Sequence, residues 1–329
     1  MKILGIESTC DETGAAIVED GTRLVSNIVA SSSKMHEKYG GIVPEVAARE
    51  QVKVIVPVIS EAVGEMRDEI DAIAVSYGPG LLGSLLVGVE AAKTLSVLWN
   101  LPLIKVNHML GHIFANWIGD GKKPEFPLVA LIVSGGHTDL LYMKTAKEYK
   151  WLGGTRDDAA GEAFDKIARV LGIKYPGGPE IEKMASDFRE KLKIVFPKPL
   201  INSNDFDFSF SGLKTFSVNF FKNNSADDKI KKEFAFGVQK SVTDVLVKKT
   251  LSAAMKFRVK NVVVGGGVSA NNFLRDIMTN VFKENDIEVF FPEKSLSTDN
   301  GAMIASAAYF VKDSDDILKV EAEPNLYFD

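Results

Sequence analysis

Short apolar runs broken by polar turns open the chain. Lys2–Glu7, Ala15–Glu19 and Arg23–Ala30 read as strands, with the polar turn Ser8–Gly14 between the first two. Apolar positions at helical spacing follow from about Pro44 to Met66, opened by proline in the first turn. A strand at Ala72–Ser76, a helix at Leu82–Trp99, a strand at Leu103–Val106 and a helix from His108 complete the series. From Pro127 the order restarts, with strands at Leu128–Val133, Asp139–Met143 and Tyr149–Leu152. Helical patterns fill most of 157–257, and then come strand Asn261–Val264, helix Asn271–Glu284, strand Glu288–Phe291 and helix Asp299–Val311.

One order of elements read twice predicts two similar α/β lobes. The reading places the first lobe at residues 1–125 and the second at 126–329. The second lobe carries a helical insertion at about 155–257, and the last helix is expected to pack at the lobe junction. No low-complexity linker separates the halves, so a cleft between them is expected.

Composition narrows the class. The chain has 329 residues, 46% hydrophobic and 25% charged, ordinary values for a globular protein with room for a large core. Cys10 is the single cysteine, so no internal disulfide can form, which fits a reducing, cytoplasmic setting. Glu7 interrupts the N-terminal apolar run too early for a signal sequence. The longest apolar stretch, Leu81 to Trp99, contains Glu90 and Lys93 and reads as a core helix, not a membrane span. The net charge of −5 excludes a generic nucleic-acid binder, so contact with a polyanion must use a local basic patch or a partner.

Two short runs hold the candidate chemistry: Asn107-His-Met-Leu-Gly-His112 and Thr298-Asp-Asn-Gly-Ala302. His108 and His112 leave one face of a helix. With a distant carboxylate, Asp299, they would form a three-ligand metal site with open positions. A capped or surface His pair shows the same spacing. The zinc-protease motif is absent, because Met109 stands where that motif has Glu. Three turns are polar or glycine-rich: Ser8–Thr13, Ser134-Gly135-Gly136 and the run around Gly266. Each is either a simple tight turn or a place where backbone N–H groups meet a phosphate. Asp11 and Glu12 beside the first turn would hold a divalent ion or water near a phosphate, or else are solvated acids of a hairpin.

The chain strongly resembles the TsaD family, whose archaeal and eukaryotic relatives belong to the KEOPS complex. The matching runs are Gly5–Thr13, Tyr39–Glu45, Gly78–Leu81, Val106-Asn-His with His112, Val133–Thr138 and Asp157–Asp165. Tyr175–Pro179, Phe206–Thr215, Gly266–Asn271 and Thr298–Ile304 continue the series in family order over nearly the whole chain. The resemblance implies an α/β fold of the two-lobed actin-like, Hsp70-like ATPase type, with duplicated RNase H-like lobes. It implies transfer of threonylcarbamoyl from threonylcarbamoyl-AMP to N6 of the adenosine 3′ of the anticodon, in tRNAs reading codons that start with A.

By the same resemblance His108, His112 and Asp299 would bind one divalent metal, Fe2+ or Zn2+. Ile132, Val133, Ser134, Gly135 and Gly136 would meet an ATP- or AMP-type nucleotide, with Mg2+ as a further candidate ion. Asp165, Gly178, Gly266 and Asn271 join that set, as does Glu182, which stands where the family usually has Asp. Ser297 stands where the family often has Cys. Implied partners are tRNA, an inactive paralogue (TsaB), a small ATPase (TsaE), and TsaC or its Sua-type relative as source of the adenylate; no membrane is implied. The proton acceptor stays open among Asp11, Glu12 and the departing phosphate. The rival readings are a metalloprotease, a sugar or acetate kinase and a non-catalytic scaffold. The first lacks its Glu, the second has no need of a His pair, and paralogue scaffolds typically lack the pair and Asp299.

Overall fold

Strands β1 (Lys2–Glu7), β2 (Glu12–Glu19), β3 (Arg23–Ser31), β4 (Ala72–Gly78) and β5 (Leu103–Asn107) form one sheet in the order β3-β2-β1-β4-β5. The first three strands are antiparallel neighbours, whereas β4 and β5 run parallel to β1. Strands β6 (Leu128–Val133), β7 (Thr138–Met143), β8 (Tyr149–Gly154), β9 (Asn261–Gly265) and β10 (Glu288–Phe290) form a second sheet, β10-β9-β6-β7-β8, with the same pattern of directions. The repeat read from the sequence is therefore a repeat of topology. This computed structural model describes residues 1–224, 227–311, 316 and 319–328.

The first unit comprises Met1–Pro124 and Pro292–Asp329. Its helices are α1 (Ser33–His36), α2 (Pro44–Val63), α3 (Leu82–Trp99) and α4 (His108–Phe114), joined by a late helix whose number follows the second unit's. Side-chain alternation divides the central strands. Leu4, Ile6, Ala15 and Ile17 enter a core with Ile55, Val58 and Ile59 of α2 and Val89 and Ala92 of α3. Helix α3 is long and apolar enough to span a membrane, with mean hydropathy 1.3 over its 18 residues; one face, with Leu85, Val89 and Ala92, is buried against β4 and α2, while Leu86, Val97 and Leu98 are exposed.

The second unit comprises Glu125–Phe291. It contains α5 (Ala160–Leu171), α6 (Gly177–Ser186), α7 (Ser211–Asn223), α8 (Asp228–Phe257) and α9 (Asn272–Lys283). Its core unites Val129, Leu131 and Val133 of β6 with Phe164 and Ile167 of α5 and Val238, Val242 and Leu246 of α8. The insertion is less helical than its pattern predicts, since residues 187–210 form no helix. Pro197 and Pro199 remove helix donors there. Lys249 of α8 fixes this segment instead, its buried Nζ donating to Ser203 Oγ at 2.6 Å and to the Asp205 carbonyl at 2.7 Å.

The late helix α10 (Gly301–Val311) corrects the lobe boundary, since the sequence reading gave all of 126–329 to the second lobe. Pro292–Asp329 belongs instead to the first unit, and α10 lies on β1 and β2. Small residues allow the approach: a Cβ on Gly5 would stand 2.2 Å from the Gly301 carbonyl oxygen, and one on Gly14 2.7 Å from Gly301 N. Gly301, Ala302 and Ala305 are fully buried.

Candidate metal centre

Strand β5 runs straight into α4, and Asn107 caps the junction by accepting from the Met109 N–H at 2.9 Å. Helix α4 is buried throughout, so its two imidazoles sit in the interior. Their ring centroids are 4.7 Å apart, edge to face. Helix α10 supplies the third group. Asn300 accepts from the Met303 N–H at 3.0 Å, and Asp299 stands just before that capped start. Asp299 Oδ1 lies 3.3 Å from His112 Nε2 and 3.6 Å from His108 Nε2. The ligand atoms of the three residues all lie within 4.8 Å of one another.

This donor set fits a metal ion. Neither ring nitrogen of His112 makes a hydrogen bond, although the residue is 1% exposed. Its approach to Asp299 is close but lacks hydrogen-bond geometry. A buried polar group left without a partner costs about 1–3 kcal/mol, and a cation at Nε2 removes that cost for one of the two atoms. Ligands about 2.0–2.1 Å from a tetrahedral ion lie roughly 3.3 Å apart, close to the observed His–carboxylate spacings. Imidazole with carboxylate suits iron or zinc.

Behind the cluster lies Glu7, wholly buried, with Oε1 accepting from the Thr9 N–H at 2.6 Å and Oε2 3.0 Å from His108 Nδ1. Burial alone would lower the His108 imidazole, but Glu7 and Asp299 outweigh it and push it up to about 9. Asp11 is buried, and Glu12 is half-buried as the first residue of β2. They are not the solvated acids of an open hairpin. Burial, then Asp299, then Asp11 push the Glu12 carboxyl up to about 10. The same surroundings raise the Cys10 thiol, burial foremost, so it is no thiolate. Gln51 of α2 braces the turn, its Nε2 lying 3.0–3.1 Å from the carbonyl oxygens of Ser8, Cys10 and Glu12.

The remaining sequence-predicted residues fall in the second unit. Two turns converge at the adjacent C-terminal ends of β6 and β9, the usual place for a ligand in an α/β sheet. Ser134 N donates to the His137 carbonyl at 2.9 Å, and Gly135 and Gly136 between them are exposed. Gly266 begins the neighbouring turn at φ +93°, where a Cβ would lie 2.4 Å from the Val133 carbonyl oxygen. Ile132 and Val133, expected to meet the nucleotide, have fully buried side chains, so only their backbone can face a ligand.

Asp165, Glu182 and Asn271 are engaged at helix starts. Asp165 Oδ1 accepts from the Gly177 N–H at 2.6 Å; burial raises its carboxyl although the Gly177 and Gly178 N–H groups oppose the rise. Glu182 Oε1 accepts from the Asn272 backbone N–H at 2.7 Å. Asn271 caps α9 through the Leu274 N–H and donates to Gln239 at 3.0 Å. The sequence reading missed Glu7, Gln51 and Gln239. The available signal for Glu7 was an acid at the end of an otherwise apolar strand.

Two sheets of one topology with a His–His–carboxylate cluster define an actin-like, Hsp70-like α/β fold with a metal-competent centre. The fold is shared with the HypF protein of T. kodakarensis (TM-score 0.60, 15% identity, 94% of this chain and 47% of that one). It is also shared with component A of the (R)-2-hydroxyglutaryl-CoA dehydratase of Acidaminococcus fermentans (TM-score 0.55, 14% identity, 94% and 98%). Residues 23–306 match the family described as TsaD, tRNA N6-adenosine threonylcarbamoyltransferase. The protein of that name from Clostridium botulinum (strain Kyoto) is 48% identical over 333 residues, 99% of this chain and 97% of the relative. That of Dehalococcoides mccartyi (strain BAV1) is 50% identical over 313 residues, 94% and 93%. The chain belongs to the TsaD family and is a transferase.

Proposed function

We propose that the chain transfers threonylcarbamoyl from threonylcarbamoyl-AMP to N6 of the adenosine 3′ of the anticodon, in tRNAs that read codons starting with A. The observation that carries this reading is the buried His108–His112–Asp299 cluster with its unpartnered His112 nitrogens. These residues would hold Fe2+ or Zn2+, which supplies Lewis-acid neutralisation of donor oxygens. The backbone N–H groups of Gly135 and Gly136 would receive the adenylate, and the exposure of these two residues supports that role, with the buried Gly266 turn beside them. Asp165, Gly178, Glu182 and Asn271 keep this corner in shape by fixing the starts of α6 and α9.

In the reaction the N6 lone pair attacks the carbamoyl carbon. The N6–C bond forms, the bond from that carbon to the phosphate oxygen breaks, and AMP leaves. The N6 proton passes to Asp11 or to the departing phosphate. Glu12 stands beside Asp11 as the alternative acceptor, its carboxyl raised in the metal-free chain by burial and by the Asp299 and Asp11 carboxylates. Holding both reactants together contributes on the order of 7–11 kcal/mol at best. The anticodon loop offers its base without a duplex to open. Cytoplasmic tRNA, an adenylate-forming enzyme of the TsaC or Sua type, TsaB and TsaE complete the proposed setting, with ATP and Mg2+ serving the assembly.

The test incubates the chain with tRNA, threonine, bicarbonate, ATP and the adenylate-forming enzyme, with and without TsaB and TsaE. Mass spectrometry of the nucleosides is expected to show threonylcarbamoyl-adenosine. The double variant His108→Ala, His112→Ala is expected to lose both bound metal, by elemental analysis, and product. No modified nucleoside from the complete wild-type mixture overturns the reading.

A further inference from the structure

We infer that Glu7 is a positioning residue for the metal centre: its buried carboxylate locks the His108 ring so that Nε2 presents its lone pair to the ion. The inference rests on the metal reading above and adds a residue to it. Glu7 is the last residue of β1 and pairs with Gly14. By strand alternation it faces the same side as Gly5, the side on which α10 lies. Nothing about the sheet core requires an acid at this position, and a buried carboxylate without purpose is costly.

Both oxygens of Glu7 are committed. Oε1 accepts from the Thr9 N–H at 2.6 Å, which fixes the carboxylate to the backbone of the first turn. Oε2 lies 3.0 Å from His108 Nδ1, and Thr9 Oγ1 lies 3.2 Å from the same nitrogen. An ionised carboxylate only accepts, so Nδ1 must be the donor. The neutral ring then has its lone pair on Nε2, the nitrogen 3.6 Å from Asp299 Oδ1. A carboxylate behind a ligating histidine both orients the ring and raises its basicity. The two histidines are therefore unequal. His108 is held from behind, whereas His112 Nδ1 makes no hydrogen bond.

Glu7→Gln tests the lock with little change of volume. Its carbonyl can keep the Thr9 N–H, which turns an NH2 donor toward Nδ1 and forces the proton onto Nε2. Zn2+ and Co2+ affinities of chelator-stripped protein would be measured by competition with a chromophoric chelator, beside the melt of the metal-free protein and the visible spectrum of the Co2+ form. Glu7→Gln is expected to bind about 10–100-fold more weakly than wild type, with its metal-free melt retained and its Co2+ bands shifted. In a His108→Ala background the same change is expected to cost no further affinity, since Glu7 acts through that ring. Glu7→Asp, which keeps the charge but is one methylene short, is expected to fall between the two; should Glu7→Gln not fold, a Glu7→Asp spectrum and affinity equal to wild type overturn the inference. Wild-type affinity in folded Glu7→Gln, or an undiminished loss in the His108→Ala background, overturns it while the metal reading stands. A wild type that takes up neither ion overturns the metal reading and this inference with it.

Discussion

Gly135 and Gly266 look alike in sequence, yet the structure separates them. A Cβ at Gly135 meets nothing within 4 Å, whereas one at Gly266 strikes the Val133 carbonyl and needs φ +93°. Gly135→Val is therefore expected to weaken nucleotide binding with its melting temperature unchanged. Gly266→Val is expected to destabilise the fold by roughly 1–3 kcal/mol or more. Calorimetric titration with a nucleotide, run beside a thermal melt, distinguishes them. Glu12 gives the pH prediction. Its carboxyl, at about 10 in the folded chain against an ordinary 4.5, retains a proton that the unfolded chain releases. Folded protein thus binds more protons between those values, so this group makes metal-free stability fall as pH rises from about 4.5 to about 10. Glu12→Gln, permanently neutral, is expected to flatten that decline and raise the metal-free melting temperature at pH 8 by on the order of a few degrees. A saturating divalent ion beside Asp299 is expected to shrink the difference, because its charge opposes the shift. A melt of the variant that tracks wild type across this range refutes the assignment. At this scale the sequence announced ligands better than their supports. His108 and His112 are legible because helix periodicity puts them on one face. Glu7 and Gln51 are not, because their roles depend on contacts to His108 and to the Ser8–Glu12 backbone across 101 and 39–43 positions.

Elements show the same division between near and far. Strands such as Lys2–Glu7 and Leu128–Val133 and helix Leu82–Trp99 coincide with their sequence patterns, since alternation and helical spacing are local signals. The membership of α10 is not local. Its docking depends on three glycines, Gly5, Gly14 and Gly301, meeting backbone to backbone, which no period of the chain reveals. The start of α7 is equally hidden. Phe210 occupies its cap position without a capping side chain, and Asp157, over fifty positions earlier, takes the place. Its carboxylate accepts from the Phe210 N–H at 2.7 Å, the Ser211 N–H at 3.2 Å and both flanking serine hydroxyls. Burial opposes ionisation, but these bonds prevail and hold the carboxyl below its ordinary 3.8. Asp157→Ala is expected to cost about 0.5–2 kcal/mol, as lost caps do. Because the folded carboxyl is depressed, its contribution is present above the ordinary carboxylate range and fades as pH falls through the folded value. Urea unfolding at pH 7 should therefore separate wild type from the variant, and the gap should narrow in strong acid. An equal midpoint at pH 7 would show that α7 needs no cap from Asp157.

Across the whole molecule the question is how a chain of net charge −5 meets a polyanion. The sequence offers three lysine clusters, around Lys144, Lys147 and Lys150, around Lys191, Lys193 and Lys198, and around Lys229, Lys231 and Lys232. Two of these lysines, Lys144 and Lys232, face acids four positions away, whereas Lys198 and Lys229 face acids that only the fold brings beside them. Lys144 lies 3.0 Å from Glu148, Lys198 2.6 Å from Asp244, Lys229 2.7 Å from Glu190 and Lys232 3.0 Å from Asp228. A lysine already facing a carboxylate must leave that partner to bind a phosphate, and the acid left behind repels the next one. Exposed pairs of this kind contribute little stability, so the fold does not depend on them. Every lysine that does bind a phosphate steepens the fall of log affinity with log salt by about one. Lys144→Glu, Lys198→Glu and Lys229→Glu are each expected to leave that slope unchanged within a few tenths, in filter binding of tRNA over a salt series. The expected result assigns most of the tRNA affinity to other surfaces or to partner proteins. A slope shallower by one or more in any of the three variants would identify that cluster as the docking patch, its ion pair broken on binding.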